Sequence, residues 1–296
     1  MKSKNLIKLR RKIKFLENFQ KITKSISLMS SIKFQKTYKK ITQIMKNVFY
    51  LLEIFEEILK RHKGLTIEFI KENPQGKTLV VVVASDRGLA GLFDQMIFKK
   101  AEEFLNEKGD FYLGTIGLKA EKYFKKKYPL LFSFNKFENI LPESFAKELL
   151  SFFDTLIKKK KVKEIYLIRP NLTSSGFLVE NIKIWPLDLL GLNDLIEKIK
   201  LKTREFKDLK RSKTLSDFKY ILEPSPEMLV RTIFNYVSYL IIYALILQGQ
   251  ASLEFTRTIT MRKASENAEE IKEKELLNYN KVRQQKITEE LLDLRR

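Results

Sequence analysis

Leu6, Leu9, Ile13, Leu16, Gln20, Thr23, Ser27, Ser30, Phe34, Thr37, Ile41, Ile44, Val48, Leu51, Phe55 and Ile58 stand at alternating steps of three and four residues. That spacing is a heptad seam, the pattern that lays one stripe of a helix against a partner helix. The ends of the seam are apolar, and its middle, Gln20 to Ser30, is small and polar. No proline or glycine occurs before Gly64. The pattern predicts one unbroken helix, which at ~1.5 Å per residue is far longer than a small domain is wide.

The other end of the chain has the same character. Pro224 and Pro226 mark a helix start, with Ser225 as its N-cap and Glu227 in the first turn. From there a second seam runs through Val230, Ile233, Val237, Leu240, Ala244, Leu247, Ala251, Glu254, Thr258, Met261, Ser265 and Ala268, interrupted only by Gly249. Two such helices at opposite ends of one chain predict an antiparallel coiled coil. Gln20 to Ser30 would then lie near Glu254 to Ser265. A seam of small and polar residues packs weakly, so the coil can twist there or meet a third party.

Between the helices the period changes. Thr78 to Ala84 is an apolar, β-branched run and reads as a buried strand. A turn, Ser85 to Gly91, leads into a helix over Asp94 to Glu107. Phe111 to Ile116 reads as a strand with a helix behind it through Lys125, Leu131 to Phe137 as a weaker strand, and Phe145 to Lys159 as a helix. Glu164 to Arg169 is a further strand, ended by Pro170, and Phe177 to Ile184 alternates like an edge strand. Strands alternating with helices indicate an α/β layer with a largely parallel sheet. Residues 191–219 are charged and weakly patterned, and read as a linker.

Composition narrows the function. The 296 residues could hold one or two domains, and 44% of them are hydrophobic, which is ordinary. A formal net charge of +21 is not ordinary and calls for an acidic partner: nucleic acid, an anionic membrane or an acidic protein surface. There is no cysteine, which excludes disulfides, thiol catalysis and thiolate metal sites. The single histidine, His62, sits among Lys60, Arg61 and Lys63 and reads as solvated. The nucleophile–base pairs of familiar catalytic sites cannot be assembled from this set. Met1 to Lys14 is basic but continues the helical period without a cleavage site, so it reads as part of the helix rather than a leader. Thr232 to Leu253 carries no formal charge and nearly reaches bilayer-spanning length. Asn235, Ser238, Gln248 and Gln250 interrupt it, which favours a helix covered by protein on most faces.

The turn Ser85 to Gly91 lies where a dinucleotide site would sit, between a strand and a helix. Only Gly88 and Gly91 are present, without G-x-G-x-x-G spacing or a Walker lysine, so it reads as a structural turn. The basic residues are concentrated. Lys8, Arg10, Arg11, Lys12, Lys14, Lys21 and Lys24 have only Glu17 opposing them on the first helix. Lacking interleaved aromatics for base stacking, that face fits an acidic protein surface better than nucleic acid.

Four segments carry a family resemblance: Gln20-Lys21-Ile22-Thr23-Lys24-Ser25-Ile26, Ser85-Asp86-Arg87-Gly88-Leu89-Ala90-Gly91, Tyr220-Ile221-Leu222-Glu223-Pro224-Ser225-Pro226, and the terminal run Tyr279 to Leu291. In that order, over nearly the whole chain, they resemble the F-type ATP synthase gamma subunit. The resemblance implies an α/β fold made of a long antiparallel coiled coil of N- and C-terminal helices plus a Rossmann-like α/β domain without a nucleotide site. It sets a shaft helix at 1–62, the α/β domain at 76–190, the linker at 191–219 and a second shaft helix at 220–296. It further implies a non-catalytic central rotor shaft with no cofactor, peripheral on the cytoplasmic side of the cell inner membrane. Its partners would be three alpha and three beta subunits, the epsilon subunit and the membrane rotor ring of c subunits, and not nucleic acid. By motif, Arg283, Gln284, Thr288, Ile26 and Lys24 would meet the beta subunits, as would the basic Lys8, Arg10, Arg11 and Lys12. Tyr220, Leu222 and Glu223 would meet the rotor ring and epsilon. Ala90 stands where many relatives have cysteine, and the absence of a cysteine pair rules out the thiol regulation of the chloroplast form.

Overall fold

The structure is a computed structural model and describes residues 2–62, 76–139, 141–173, 176–186 and 222–293. The segment expected to be a linker, 191–219, and Tyr220 lie outside the described residues. In chain order the elements are α1 (Lys2–Arg61), β1 (Lys77–Val83), α2 (Phe93–Lys108), β2 (Phe111–Ile116), α3 (Leu118–Phe124), β3 (Leu130–Phe134), α4 (Pro142–Lys158), β4 (Val162–Thr173), β5 (Gly176–Trp185) and α5 (Pro226–Asp293). They form two compact units. One comprises Met1–Ile32, Leu89–Gly91 and Glu254–Arg296; the other comprises Lys33–Gly88 and Leu92–Leu253.

The first unit is a two-helix coil. Ser27 Oγ donates to the Thr258 carbonyl at 3.1 Å, Lys272 Nζ to Gln20 Oε1 at 3.2 Å, and Lys12 Nζ pairs with Glu275 at 2.6 Å. Positions rising on one helix meet positions falling on the other, so the pair is antiparallel. Every seam position from Leu6 to Ser30 is buried or half-buried. Among its polar members Thr23 and Ser30 are buried, and Thr23 Oγ1 turns back to the carbonyls of Phe19 and Gln20 on its own helix. The Glu254–Arg257 ion pair at 3.0 Å is buried as well. Beyond Ala268 the seam continues as Lys272, Glu275, Tyr279, Val282 and Lys286, all only half-buried.

The second unit is built on a five-stranded sheet in the order β3-β2-β1-β4-β5, parallel except for β5. Strand β1 lies at the centre because its run of valines is apolar toward both faces. Leu79, Val81 and Val83 point into a core shared with α4, residues 41–58 of α1 and residues 230–251 of α5. Val80 and Val82 are buried too, toward the face covered by α2 and α3, whose buried side chains include Phe93, Ile97, Phe104 and Phe124. Two crossovers run outward over one face and the third returns over the other, the doubly wound arrangement.

The uncharged stretch of α5 is long and apolar enough to cross a membrane. It lies inside this core instead: Val237, Leu240, Ile241, Ala244, Leu245 and Leu247 are all buried against the sheet and its helices. Gly249 has a physical reason. A Cβ there would stand 3.1 Å from the Phe137 ring, and the next residue, Gln250, donates Nε2 to the Phe137 carbonyl at 2.8 Å. The N-terminus of α5 follows expectation, with the Met228 N–H donating to Ser225 Oγ at 3.3 Å.

Pro170 does not end its strand. β4 continues to Thr173, with Pro170 opposite Val179 of β5. The β1 register stops at Ile168, so past that point β4 is paired on one side only and a missing N–H costs no ladder bond on the β1 side.

Tyr236, Tyr239 and Tyr243 stack along α5 with ring centroids 6.0 and 6.1 Å apart, and Lys147 of α4 lies over the Tyr239 ring. Burial, with a smaller contribution from the Glu143 carboxylate, pushes the Tyr239 hydroxyl from 10.0 up to about 12. The neutral phenol is thus favoured in the folded state. Its contribution to stability is fully present below pH 10 and is lost as the pH rises toward 12. Tyr239→Phe should remove this phenol and flatten the fall in stability over that window, as read by phenolate absorbance and by denaturation at each pH.

Candidate functional site

In a doubly wound sheet the ligand crevice opens at the carboxyl ends of the strands, where the order reverses. Here that point lies between β1 and β4. The turn leaving β1 is filled by the chain's own carboxylates. Asp94, in the first turn of α2, accepts from the Ser85 N–H at 2.9 Å, from Ser85 Oγ at 2.8 Å and from Lys119 Nζ at 2.8 Å. Asp86 accepts from the backbone N–H groups of Leu118, Lys136 and Glu138 at 2.9, 3.1 and 2.8 Å. Glu138 in turn accepts from the N–H groups of Asp86 and Arg87. These are the kinds of donor that cradle a phosphate at a strand-to-helix turn. A phosphate could reach them only by displacing carboxylates that cannot leave. Among the described residues, no group of three or more His, Cys, Asp or Glu side chains converges as metal ligands would.

The tip of the same turn, Leu89 to Gly91, belongs to the coil unit. Gly91 adopts φ +58°, and a Cβ on it would meet Thr260 Oγ1 at 3.4 Å. Glycine is favoured there by the backbone conformation, while the space beside it would admit a Cβ in ordinary contact.

On the coil, Lys8, Arg10, Arg11, Lys12 and Lys24 of α1 are exposed, as are Arg283, Gln284 and Thr288 of α5, while Ile26 is half-buried. Lys12 is tied to Glu275, and the Thr288 hydroxyl caps the Gln284 carbonyl of its own helix. Leu222 packs against the core of the sheet unit and Glu223 is exposed. The geometry thus groups the coil residues separately from Leu222 and Glu223.

Sequence reasoning missed a second stripe on α1. Phe15, Phe19, Ile22, Ile26 and Met29 each stand one position before a seam residue. Phe15 is 65% and Ile22 58% exposed, and Phe15 stacks on Phe19, so the basic helix does carry exposed aromatics, contrary to the sequence expectation. A two-position heptad seam does not need them. An apolar stripe beside the seam, left open and set among cations, is the mark of a surface awaiting protein. The signal was in the sequence, as apolar residues at four rather than two heptad positions. No carboxylate occurs between Glu17 and Glu53, so the whole middle of α1 is basic.

The ATP synthase family model matches residues 5–295. The chain belongs to that family. Within the family it is similar to gamma chains. It is 24% identical to the ATP synthase gamma chain of Brevibacillus brevis, with 99% of this chain and 97% of that one aligned. It is 26% identical to the sodium-ion-specific ATP synthase gamma chain of Acetobacterium woodii, again covering 99% and 97% of the two chains. Its fold is that of a chain in the rotor of the Euglena gracilis mitochondrial ATP synthase, with a TM-score of 0.59 at 14% identity over 96% of this chain and 99% of that one. The family match, with the gamma-chain relatives, supports the gamma-subunit reading of the chain.

Proposed function

We propose that this chain is the central rotor shaft of an F-type ATP synthase, coupling ion flow through the membrane sector to ATP synthesis and hydrolysis in a ring of three alpha and three beta subunits. It carries no active site or cofactor of its own. It is held at the cytoplasmic face of the cell inner membrane through the complex, with epsilon and the ring of c subunits as its further partners. The observation that carries this reading is the open apolar and basic flank of the coil, in a chain whose family match spans nearly its whole length. The coil lies within the alpha–beta ring, and Arg283, Gln284, Thr288, Ile26 and Lys24 meet the beta subunits. Lys8, Arg10, Arg11 and Lys12 face acidic segments of beta. A turning interface favours long-range charge over locked packing, because charge attracts without fixing one register. Tyr220, Leu222 and Glu223 meet the rotor ring and epsilon.

The mechanism needs asymmetry. Each beta subunit meets a different flank of the coil, and a contact equal in all conformations of beta would shift none of them. The open stripe of Phe15, Phe19, Ile22 and Met29 lies on one side of the seam only, which supplies such a difference.

The test is co-expression with the cognate alpha and beta subunits, followed by mass measurement and ATPase assay. The expected result is one copy of this chain per three alpha and three beta. Truncating a contributing contact typically removes about 1 kcal/mol, roughly a five-fold change in an equilibrium. Arg283→Ala combined with Gln284→Ala should therefore lower ATP-driven turnover several-fold while assembly is retained. A chain that stays outside the ring, or a double variant with unchanged turnover, would count against the proposal.

A further inference from the structure

Arg169 of β4 stands opposite Glu180 of β5 and is fully buried, at 0% exposure. Its Nη1 donates to the Pro170 carbonyl at 3.1 Å. Nε and Nη2, which share one edge of the planar guanidinium, are buried without an acceptor among the described residues. On Glu180, Oε1 accepts from Asn171 Nδ2 at 3.1 Å, while Oε2 is buried without a donor among the described residues. The two orphaned ends, Nη2 and Oε2, lie 4.0 Å apart, too far for a hydrogen bond. Burial pushes the guanidinium down to about 10, with Glu180 opposing, so at neutral pH it is a cation and keeps all its donors.

A group that satisfies both ends must accept from the guanidinium edge and donate to a carboxylate. An anion would accept from Arg169 but be repelled by Glu180. A cation would suit Glu180 and be repelled by Arg169. Water does both, and three polar partners are the usual number for a buried one. A water-mediated contact is nearly as favourable as a direct bond and is the expected arrangement for polar groups just beyond contact. We infer that one ordered water is bound between the Nε/Nη2 edge of Arg169 and Oε2 of Glu180. It completes a hydrated ion pair between β4 and β5. The pair joins the stretch of β4 that continues past its β1 neighbour, where the sheet has only β5 to hold it.

A high-resolution density map of the full chain tests this, with bromide soaked in parallel. The expected result is a peak at hydrogen-bonding distance from the guanidinium edge and from Glu180 Oε2, without anomalous bromide signal. Arg169→Met should abolish the peak while the hairpin backbone superposes. Glu180→Gln, nearly isosteric and able to accept from water through its amide oxygen, should keep it, and it serves where the Met variant fails to fold. A direct Arg169–Glu180 hydrogen bond with no peak between them would overturn the inference. So would bromide at the site, a peak that survives Arg169→Met, or one lost in Glu180→Gln.

Discussion

Replacing Gly117 with alanine should destabilise the sheet unit by about 2–5 kcal/mol, the sum of left-handed strain and overpacking. Gly117 sits between β2 and α3 at φ +101°, and a Cβ on it would overlap the Ala84 carbonyl oxygen. The obstacle is backbone, pinned because the Ala84 N–H donates to Ile116 at 2.9 Å and the Gly117 N–H donates to Phe134 at 2.7 Å. Neither side can yield without breaking the ladder ends of three strands. Gly109 is the matched control: φ +68°, with nothing within 4 Å of its would-be Cβ. Gly109→Ala should cost only the conformational strain, about 1–2 kcal/mol. Urea midpoints at unchanged m-value report the difference. Equal losses for the two variants would mean that the close approach of Gly117 contributes nothing.

The second large effect is at Asp86. One carboxylate there accepts from three backbone N–H groups, those that start α3 and those that follow β3. Asp86→Ala leaves all three without that acceptor. An orphaned buried donor costs about 1–3 kcal/mol. Asp86 is partly exposed, so water recovers some of this, and we expect a net loss of roughly 3 kcal/mol. Asp86→Asn retains one acceptor oxygen and should fall between. Glu138→Ala removes two acceptances from the same network and should cost less, with a double variant that is not additive because Asp86 and Glu138 hold each other's backbone. The comparison is Asp110→Ala, which breaks only the exposed pair with Lys77 and should cost much less than Asp86→Ala. If Asp86→Ala proves no worse than Asp110→Ala, the turn is not held by this carboxylate.

Periodicity alone determined a good deal. Steps of three and four from Leu6 picked out positions that are all buried or half-buried through Ile58, and the second seam did the same from Val230 to Ala268. The valine run of β1 announced a strand covered on both faces, and Ser225 announced the start of α5. Each of these depends only on which faces of one element are apolar, and a linear pattern records that directly. The tertiary structure decided what depends on two distant segments at once. Glu138 reaches back 52 residues to the Asp86 N–H, and nothing near either residue says so. Pro170 reads as a strand terminator until the end of the β1 register shows that its missing N–H has no neighbour to serve. Arg169 looks like an ordinary surface charge until the fold closes over it. Phe15 and Ile22 look like core residues, yet the chain leaves them open. Burial of a periodic face is a local property, whereas hydrogen-bond satisfaction and exposure are properties of pairs, and only the folded chain sets the pairs.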